Sequence, residues 1–210
     1  MLTVARPRFR IATAADAASI LEIYRPFVVS TAVSFELEPP SVAQMAERLR
    51  STLERTPWLI CESAGQLSGY AYASPHRDRA AYQWCVEVSA YVHPAHRRGG
   101  LARLLYDRLF QVLQWQGFHN AYAGITLPNE PSVRFHQALG FQLVGVYHAI
   151  GFKLGRWHDV AWYERALQPH RLPSGNPVPF ADPDVRARTG DLLNAHTPGR
   201  GHESALDRGH

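Results

Sequence analysis

The sequence predicts a mixed α/β (α+β) fold, a single mixed central sheet of about six or seven strands flanked by about four helices. Three observations carry this expectation. Segments with helical apolar spacing alternate with strand-like segments over residues 1–167. Two apolar runs flank Ala64-Gly65-Gln66, as in a hairpin. A β-rich run ending at Val92 passes through a turn at Pro94 and the Gly99-Gly100 pair into a helical pattern.

In chain order, residues 9–11 form a short first strand. Thr13 then offers an N-cap with Asp16 three residues on, a capping-box variant. Ile20, Ile23, Tyr24 and Phe27 recur at helical spacing over 17–29. Pro26 is expected to bend or end this helix early, since it lacks an N–H and its ring crowds the preceding turn. Ser41 caps a second helix over 41–55. Strands at 58–62 and 67–74 flank the hairpin turn, and 83–92 is a longer strand. A helix over 99–116 stops at Gly117. A strand at 119–126 precedes a helix at 130–139 stopped by Gly140, and strands at 141–152 and 158–165 complete the order. No internal repeat is present.

Composition changes near Ala166. Residues 168–210 hold six of the 15 prolines and four of the 11 histidines, with five arginines balanced by five acids. The run Leu172-Pro-Ser-Gly-Asn-Pro-Val-Pro has the chemistry of an extended linker with little to bury. The expected organisation is one domain at 1–167 and a Pro/Gly/His-rich tail at 168–210, mostly disordered or loosely docked, with a short helix around 184–195. The tail histidines lack metal-site spacing.

Composition also excludes several classes. At 46% hydrophobic and 19% charged, the chain is long enough for a substantial core. No apolar run approaches the roughly 18–20 residues of a membrane span. Residues 1–10 carry three arginines and no apolar stretch, so a secretory signal is not expected. Cys61 and Cys85 cannot make a disulfide framework or a four-ligand zinc site, and a reducing cytoplasm is the expected location. The net charge of +4 comes with Lys153 as the single lysine among 22 basic residues. Arginine forks suit an anionic ligand. A dense basic stripe interleaved with aromatics is absent from the sequence, so nucleic acid is not an expected partner.

The main chemical signal lies between Val86 and Tyr106. Glycines at 99 and 100 let backbone approach a ligand, and the first helical N–H groups point outward unpaired. Such a helix start binds phosphate, with Arg97 and Arg98 adding charge. It is neither a P-loop nor a Gly-x-Gly-x-x-Gly dinucleotide loop. The residues alone leave two readings open: an anion site, or a tight turn with two surface arginines.

Arg97-Arg98-Gly99-Gly100-Leu101-Ala102 resembles the Arg/Gln-x-x-Gly-x-Gly/Ala signature of the GNAT acetyltransferase superfamily, whose backbone amides hold the pyrophosphate of acetyl-CoA. An ordered series narrows the resemblance. Phe35-Glu-Leu-Glu-Pro, Thr56-Pro-Trp-Leu, Ala81-Tyr-Gln-Trp-Cys-Val-Glu, Gln116-Gly-Phe, Leu127-Pro-Asn-Glu-Pro-Ser-Val-Arg-Phe-His, Ala138-Leu-Gly-Phe and Gly155-Arg-Trp-His-Asp-Val are all similar to phosphinothricin N-acetyltransferases, over about 9–167. The resemblance implies a GNAT fold with acetyl-CoA as co-substrate and no metal. It implies an acetyl-CoA slot lined by main chain at Ala90, Tyr91 and Val92, and a pyrophosphate site from Arg98 through Gly99, Gly100, Leu101 and Ala102 to Arg103, with Arg97 beside it. Asn129 matches the asparagine that touches the pantetheine arm, and Ser132 joins it. Ala102 stands where close relatives often have a second glycine, a change the wider signature accepts.

Two residues are candidates for catalysis. Glu87 lies between Val86 and Val88 in an apolar strand, on the face of Cys85 and Ser89. A charge there is costly unless paired or functional. The residues leave open an ion pair with an arginine; the resemblance implies a general base. His136 sits seven residues after Asn129, two helical turns along one face. The resemblance implies an acid or relay toward the CoA thiolate, where many GNAT enzymes have tyrosine; a surface or capping histidine is the other reading. Cys61 and Cys85 read as small apolar residues rather than nucleophiles. Direct attack in a ternary complex is therefore expected rather than a ping-pong route. His93-x-x-His96 flanks a loop without partners and reads as surface.

On the acceptor side, Phe35, Tyr72, His76, Arg77, Arg79 and Tyr82 lie in segments that approach the acceptor in relatives. Arg79 has the chemistry of an anion clamp; an exposed polar turn is the other reading of Arg77 and Arg79. His76-Arg-Asp-Arg departs from relatives with a bulky aromatic-lysine pair, which bears on acceptor identity. The apolar stretch from Phe141 to Trp162 would suit a homodimer interface, which the resemblance also implies, or a core strand pair. The expected activity is acetyl transfer from acetyl-CoA to the α-amino group of a small amino acid of phosphinothricin, methionine sulfone or methionine sulfoximine type. Transfer to another amine (a polyamine, an antibiotic, a protein N-terminus) and a non-catalytic acyl-CoA-sensing module are the alternatives.

Overall fold

In the computed structural model, which describes residues 7–172 and 175–195, seven strands share one sheet. They are β1 (Arg8–Ile11), β2 (Trp58–Ser63), β3 (Gln66–Pro75), β4 (Cys85–Val92), β5 (Asn120–Thr126), β6 (Gln142–Lys153) and β7 (Arg156–Ala166). Five helices accompany them: α1 (Ala17–Ser30), α2 (Val42–Arg55), α3 (Leu101–Gln116), α4 (Glu130–Ala138) and α5 (Pro183–Asn194). The spatial order is β1-β2-β3-β4-β5-β7-β6. Every neighbouring pair is antiparallel except β4 and β5, which run parallel. The expected mixed sheet and its order of elements are present.

The hairpin between β2 and β3 turns through Ala64 and Gly65, both at positive φ (51° and 78°), which matches the right-handed twist of the flanking strands. Ser41 caps α2 by accepting a hydrogen bond from the Gln44 amide, while the Gln44 side chain accepts from the Ser41 amide. Both Gly100, before α3, and Gly117, after it, sit in the left-handed region that favours glycine.

The parallel pair determines the site. β4 and β5 are registered only from Cys85 to Glu87 against Asn120 to Tyr122. Beyond those residues β4 continues to Val92 and β5 to Thr126 without pairing, so the strands part and leave backbone edges uncovered between them. Residues opposite one another share a face. The register therefore puts Tyr72, Ser74, Glu87, Ser89, Tyr122, Gly124 and Trp162 on one face of the sheet. Part of that face is covered by α1 and α2, which pack Ile20, Tyr24, Val28 and Leu49 with Trp58, Ile60 and Tyr70. On the other face Leu105, Leu109 and Leu113 of α3 pack with Val86, Val88, Ala121 and Ala123.

Three expectations need correction. Helix α1 runs through Pro26 to Ser30. Pro26 removes one hydrogen bond, from the carbonyl of the exposed Glu22, where water can replace it, while Ile20, Ile23, Tyr24 and Val28 bury the opposite side. The tail, expected as mostly disordered or loosely docked, is packed over residues 175–195. Phe180 is fully buried and Val185 and Leu193 nearly so. The amides of Val178 and Phe180 donate to the carbonyls of Gln116 and Arg55 (2.7 and 3.2 Å), pinning this segment between the C-terminal ends of α3 and α2. Helix α5 then packs on β1 and α3, with Arg188 over the Trp115 ring at 4.0 Å. Residues 173–174 and 196–210 of that tail lie outside the described residues. Third, the apolar stretch over β6 is not a buried strand pair: Leu143, Val144, Ile150 and Phe152 are exposed on the sheet's outer strand.

Candidate active site

Where β4 and β5 part, a cavity of about 480 Å³ opens. Its walls include Ala90, Tyr91 and Val92 from the free edge of β4, Ala123 and Gly124 from β5, and Asn129, Ser132 and His136 from the start and body of α4. Arg97 and Ala102 close it toward α3, and Phe27 and Val33 toward α1. An adjoining cavity of about 390 Å³ shares Val92, Arg97 and Ala102 and adds Arg98, Gly100, Leu101 and Arg103. Gly99 sits within the same turn, next to Gly100. The two spaces run from the N-terminus of α3 to the split in the sheet.

Local structure explains the turn before α3. Arg98 (φ 65°) and Gly100 (φ 76°) both adopt left-handed backbone, so the chain turns sharply before α3. The first amides of a sixteen-residue helix then face outward without intrahelical partners. The Arg97 guanidinium lies 5.4 Å from the Phe27 ring centroid, reaching across the cavity toward α1. Arg103 lies 4.0 Å from Asp107, one turn along α3. Asn129 caps α4 through its side-chain oxygen, which accepts from the Ser132 amide at 3.3 Å. Its side-chain NH₂ remains a donor.

His136 is buried, in contact with Phe135, Phe141 and Tyr106. Its Nδ1 lies 2.8 Å from the Ser132 carbonyl oxygen, so Nδ1 carries the proton and donates to it. Nε2 lies 3.4 Å from Tyr106 Oη. Burial lowers the pKa of His136, against a smaller opposing contribution from the Ser132 carbonyl. The neutral ring is favoured, with Nε2 accepting from the Tyr106 hydroxyl. Burial pushes the Tyr106 hydroxyl far above its ordinary range, so it remains a proton carrier at neutral pH.

Glu87 does not itself line the 480 Å³ cavity; it stands beside it, on the same sheet face as Ser89 and Gly124, which do line it. Its Oε1 lies 3.0 Å from His76 Nδ1. The alternative reading of Glu87, an ion pair with an arginine, gives way to this contact with a histidine. The sequence brings His76 only to the acceptor region, because pairing it with Glu87 requires the β3–β4 register. Tyr106 likewise carries no signal in the sequence: nothing in its helical position shows that α3 and α4 will bring it to His136.

The expected acceptor residues divide. Tyr72 is stacked on Trp58 at 4.1 Å, and burial raises its pKa to about 12. Phe35 lies against Gly151 and near His158. Arg77 reaches Tyr147 Oη at 3.5 Å. Arg79 and Tyr82 lie on an exposed turn between β3 and β4, Arg79 as its N-cap. None of these five lines the cavity in the split. The buried indole Nε1 of Trp162, on the Glu87 face, has no hydrogen-bond partner among the described residues. Burial also raises the thiol pKa values, to about 12 for Cys61. Among the described residues no three His, Cys, Asp or Glu side chains cluster as metal ligands, and no helix is long and apolar enough to cross a membrane.

Residues 9–162 match the acetyltransferase (GNAT) domain family. The chain is 42% identical to the phosphinothricin N-acetyltransferase of Streptomyces viridochromogenes, over 76% of this chain and 87% of the relative. The chain belongs to the phosphinothricin N-acetyltransferase family of the GNAT acetyltransferases. Another relative of this GNAT member is the L-methionine sulfoximine/L-methionine sulfone acetyltransferase of Salmonella typhimurium, 35% identical over 78% of this chain and 96% of that one. Among solved structures, a GNAT superfamily phosphinothricin acetyltransferase from Sinorhizobium meliloti, in complex with AcCoA, superposes with a TM-score of 0.78. It is 37% identical and covers 83% of this chain and 97% of its own. The split sheet and the α3 turn thus have the setting of a GNAT acetyltransferase.

Proposed function

We propose that the chain is an acetyl-CoA-dependent N-acetyltransferase acting on the α-amino group of a small amino acid of phosphinothricin, methionine sulfone or methionine sulfoximine type. The observation that carries this reading is the split between β4 and β5, which joins an arginine-flanked helix N-terminus to Glu87 and His136. Acetyl-CoA fits that space by chemistry. Its pyrophosphate suits Arg97, Arg98 and the first amides of α3 (residues 101–103). Its amide-bearing arm suits the free edge of Ala90–Val92 and the Asn129 side chain, with Ser132 beside it.

Acetyl-CoA supplies the activated acetyl group, and the chain's residues manage protons around it. Glu87 takes up the proton of the acceptor's ammonium, directly or through one water. On the opposite wall, the Tyr106 hydroxyl is the proton-bearing group that can pass a proton to the departing thiolate and recover one from water, while His136, accepting at Nε2, holds that hydroxyl in place. Burial disfavours a thiolate at either cysteine, which supports direct attack in a ternary complex over a cysteine-bound acyl group. Phe35, Tyr72, Arg77, Arg79 and Tyr82 surround the approach to Glu87 in this reading, with Arg77 and Arg79 supplying charge for the acceptor's anionic end.

The test is release of CoA thiol from acetyl-CoA over a panel holding L-phosphinothricin, methionine sulfone, methionine sulfoximine, common amino acids, polyamines and a short peptide. Turnover confined to the first three is expected. Turnover on polyamines or the peptide alone would replace the acceptor assignment, and acetyl-CoA binding without turnover would favour a sensing module. We also propose a homodimer, formed through the exposed outer side of β6 and its turn into β7.

A further inference from the structure

His76 follows the last residue of β3. The register sets Ser74 opposite Glu87 and Pro75 opposite Val86, so His76 stands one residue beyond the ladder. Its ring is held on both sides of that position. One face lies flat on Tyr122, with centroids 4.3 Å apart and planes 13° apart, and Trp162 meets it edge-on at 5.5 Å. Only 12% of the His76 side chain is exposed, against 35% for Glu87. Nδ1 points to Glu87 Oε1 at 3.0 Å. An ionised carboxylate only accepts, so Nδ1 carries the proton and donates it.

From this geometry we propose that His76 is the positioning residue of Glu87. It fixes the carboxylate through Oε1 and leaves Oε2 as the atom that receives the acceptor's proton. The inference rests on the reading of Glu87 as the base and adds what holds that base in place. A glutamate has three rotatable side-chain bonds, and one-third of this side chain faces solvent. Without an anchor its carboxylate would sample several rotamers, of which few face the split. The imidazole is itself fixed by Tyr122 and Trp162, so a single hydrogen bond transmits the rigidity of β5 and β7 to β4.

Two substitutions separate the donor from the ring. His76→Phe keeps the stack on Tyr122 and deletes the N–H; His76→Asn keeps an N–H donor near the Nδ1 place and loses the ring. The proposal expects His76→Phe to lower kcat by about tenfold or more, with KM for acetyl-CoA unchanged, and His76→Asn to recover most of the loss. In a Glu87→Gln background, His76→Phe should cost nothing further, because the group it positions is gone. Equal kcat for His76→Phe and wild type, an Asn variant as slow as Phe, or full additivity with Glu87→Gln would each overturn it. Nitrogen-15 NMR of the imidazole, assigned with the Asn variant, gives a second reading independent of turnover. A protonated Nδ1 is expected in the wild type, and an Nε2–H tautomer with bare Nδ1 refutes the pairing. Wild-type inactivity on every amine would instead sink the reading of function, and is told apart because the tautomer would still report the pair.

Discussion

Tyr106 and His136 share a buried hydrogen bond of 3.4 Å across the α3–α4 contact, and it runs from the phenol to the imidazole. The direction follows from the other ring nitrogen, whose proton is given to the Ser132 carbonyl. Because burial holds the His136 pKa below its ordinary value, the unfolded chain binds more protons there than the folded chain does. Stability from this residue is therefore fully present above about pH 6.5, the ordinary value for a histidine. It is lost as pH falls from there toward the folded pKa. Melting curves from pH 7.5 to 5 should show a slope that His136→Gln reduces. An unchanged slope in the variant would mean that His136 does not titrate in this environment. Tyr106→Phe should remove one hydrogen bond, about 1 kcal/mol, and lower kcat while leaving acetyl-CoA affinity intact.

Gly151 has no side chain because Phe35 occupies the space. A Cβ there would collide with Phe35 Cε2, a contact that one of the two must relieve. Phe35 is partly exposed, so its ring can swing away at little expense. The backbone around it cannot follow: Lys153 Nζ donates to the Val28 and Ser34 carbonyls, both at 2.6 Å, and the Tyr24 and Ser34 hydroxyls are bonded at 2.7 Å. Gly151→Ala should change stability by no more than about 1 kcal/mol and raise KM for the acceptor several-fold by displacing Phe35. Steady-state kinetics with Phe35→Ala alongside decides the matter. If the double variant raised KM by the product of the two single effects, displacement of Phe35 would not be the cause.

Arg97 offers a cleaner test of the anion end than Arg103, whose guanidinium has Asp107 beside it. Losing a charge-assisted contact to a pyrophosphate removes about 1.5–3 kcal/mol. Arg97→Ala should thus weaken acetyl-CoA binding at least tenfold and make it less sensitive to salt. Calorimetric titrations at two ionic strengths measure both. Full retention of affinity would leave Arg97 with a structural role, over the Phe27 ring and on the Val92 carbonyl.

Most of the scaffold is legible because its causes are local. The Val86-Glu-Val alternation sets Glu87 on one face of a strand, and the Gly99-Gly100 pair starts α3 wherever that helix packs. What escapes the sequence depends on register or docking. His76 meets Glu87 because of a ladder that starts where Gly69 faces Val92, well away from both residues along the strands. Tyr106 is one apolar-facing helix residue among several until α4 arrives. Phe180 is an isolated aromatic in a Pro/Gly-rich run, and only the groove between the ends of α2 and α3 gives it something to bury against.

That groove makes the tail a structural element with a measurable contribution. A fully buried Phe replaced by Ala costs about 3–5 kcal/mol, or roughly 2–4 °C of Tm per kcal/mol at this chain length. Phe180→Ala should lower Tm by about 6 °C or more, while kcat and both KM values at 25 °C stay close to wild type, since Phe180 touches neither wall of the split. A Tm within about a degree of wild type would mean that this segment is not packed in solution.

The outer edge of the sheet supplies the last prediction. Phe152, Leu154 and Trp157 are each more than half exposed, and Phe152 and Trp157 meet edge-to-face at 5.3 Å on the β6–β7 hairpin. Leu143, Val144 and Ile150 extend the apolar surface along β6, whose outer backbone edge has no neighbouring strand among the described residues. A contiguous patch of this kind on a lone chain is a liability for aggregation unless a partner covers it. In the homodimer we propose, a second copy would cover it with a self-complementary face, because a two-fold axis lets each hairpin meet its own image. Light scattering at micromolar concentration should give about twice the 23.6 kDa of one chain. Phe152→Glu combined with Leu154→Glu should give the single-chain mass without loss of helical signal. A wild-type mass of one chain across the accessible concentration range would rule the homodimer out, and a dimer that survived both charges would place its interface elsewhere.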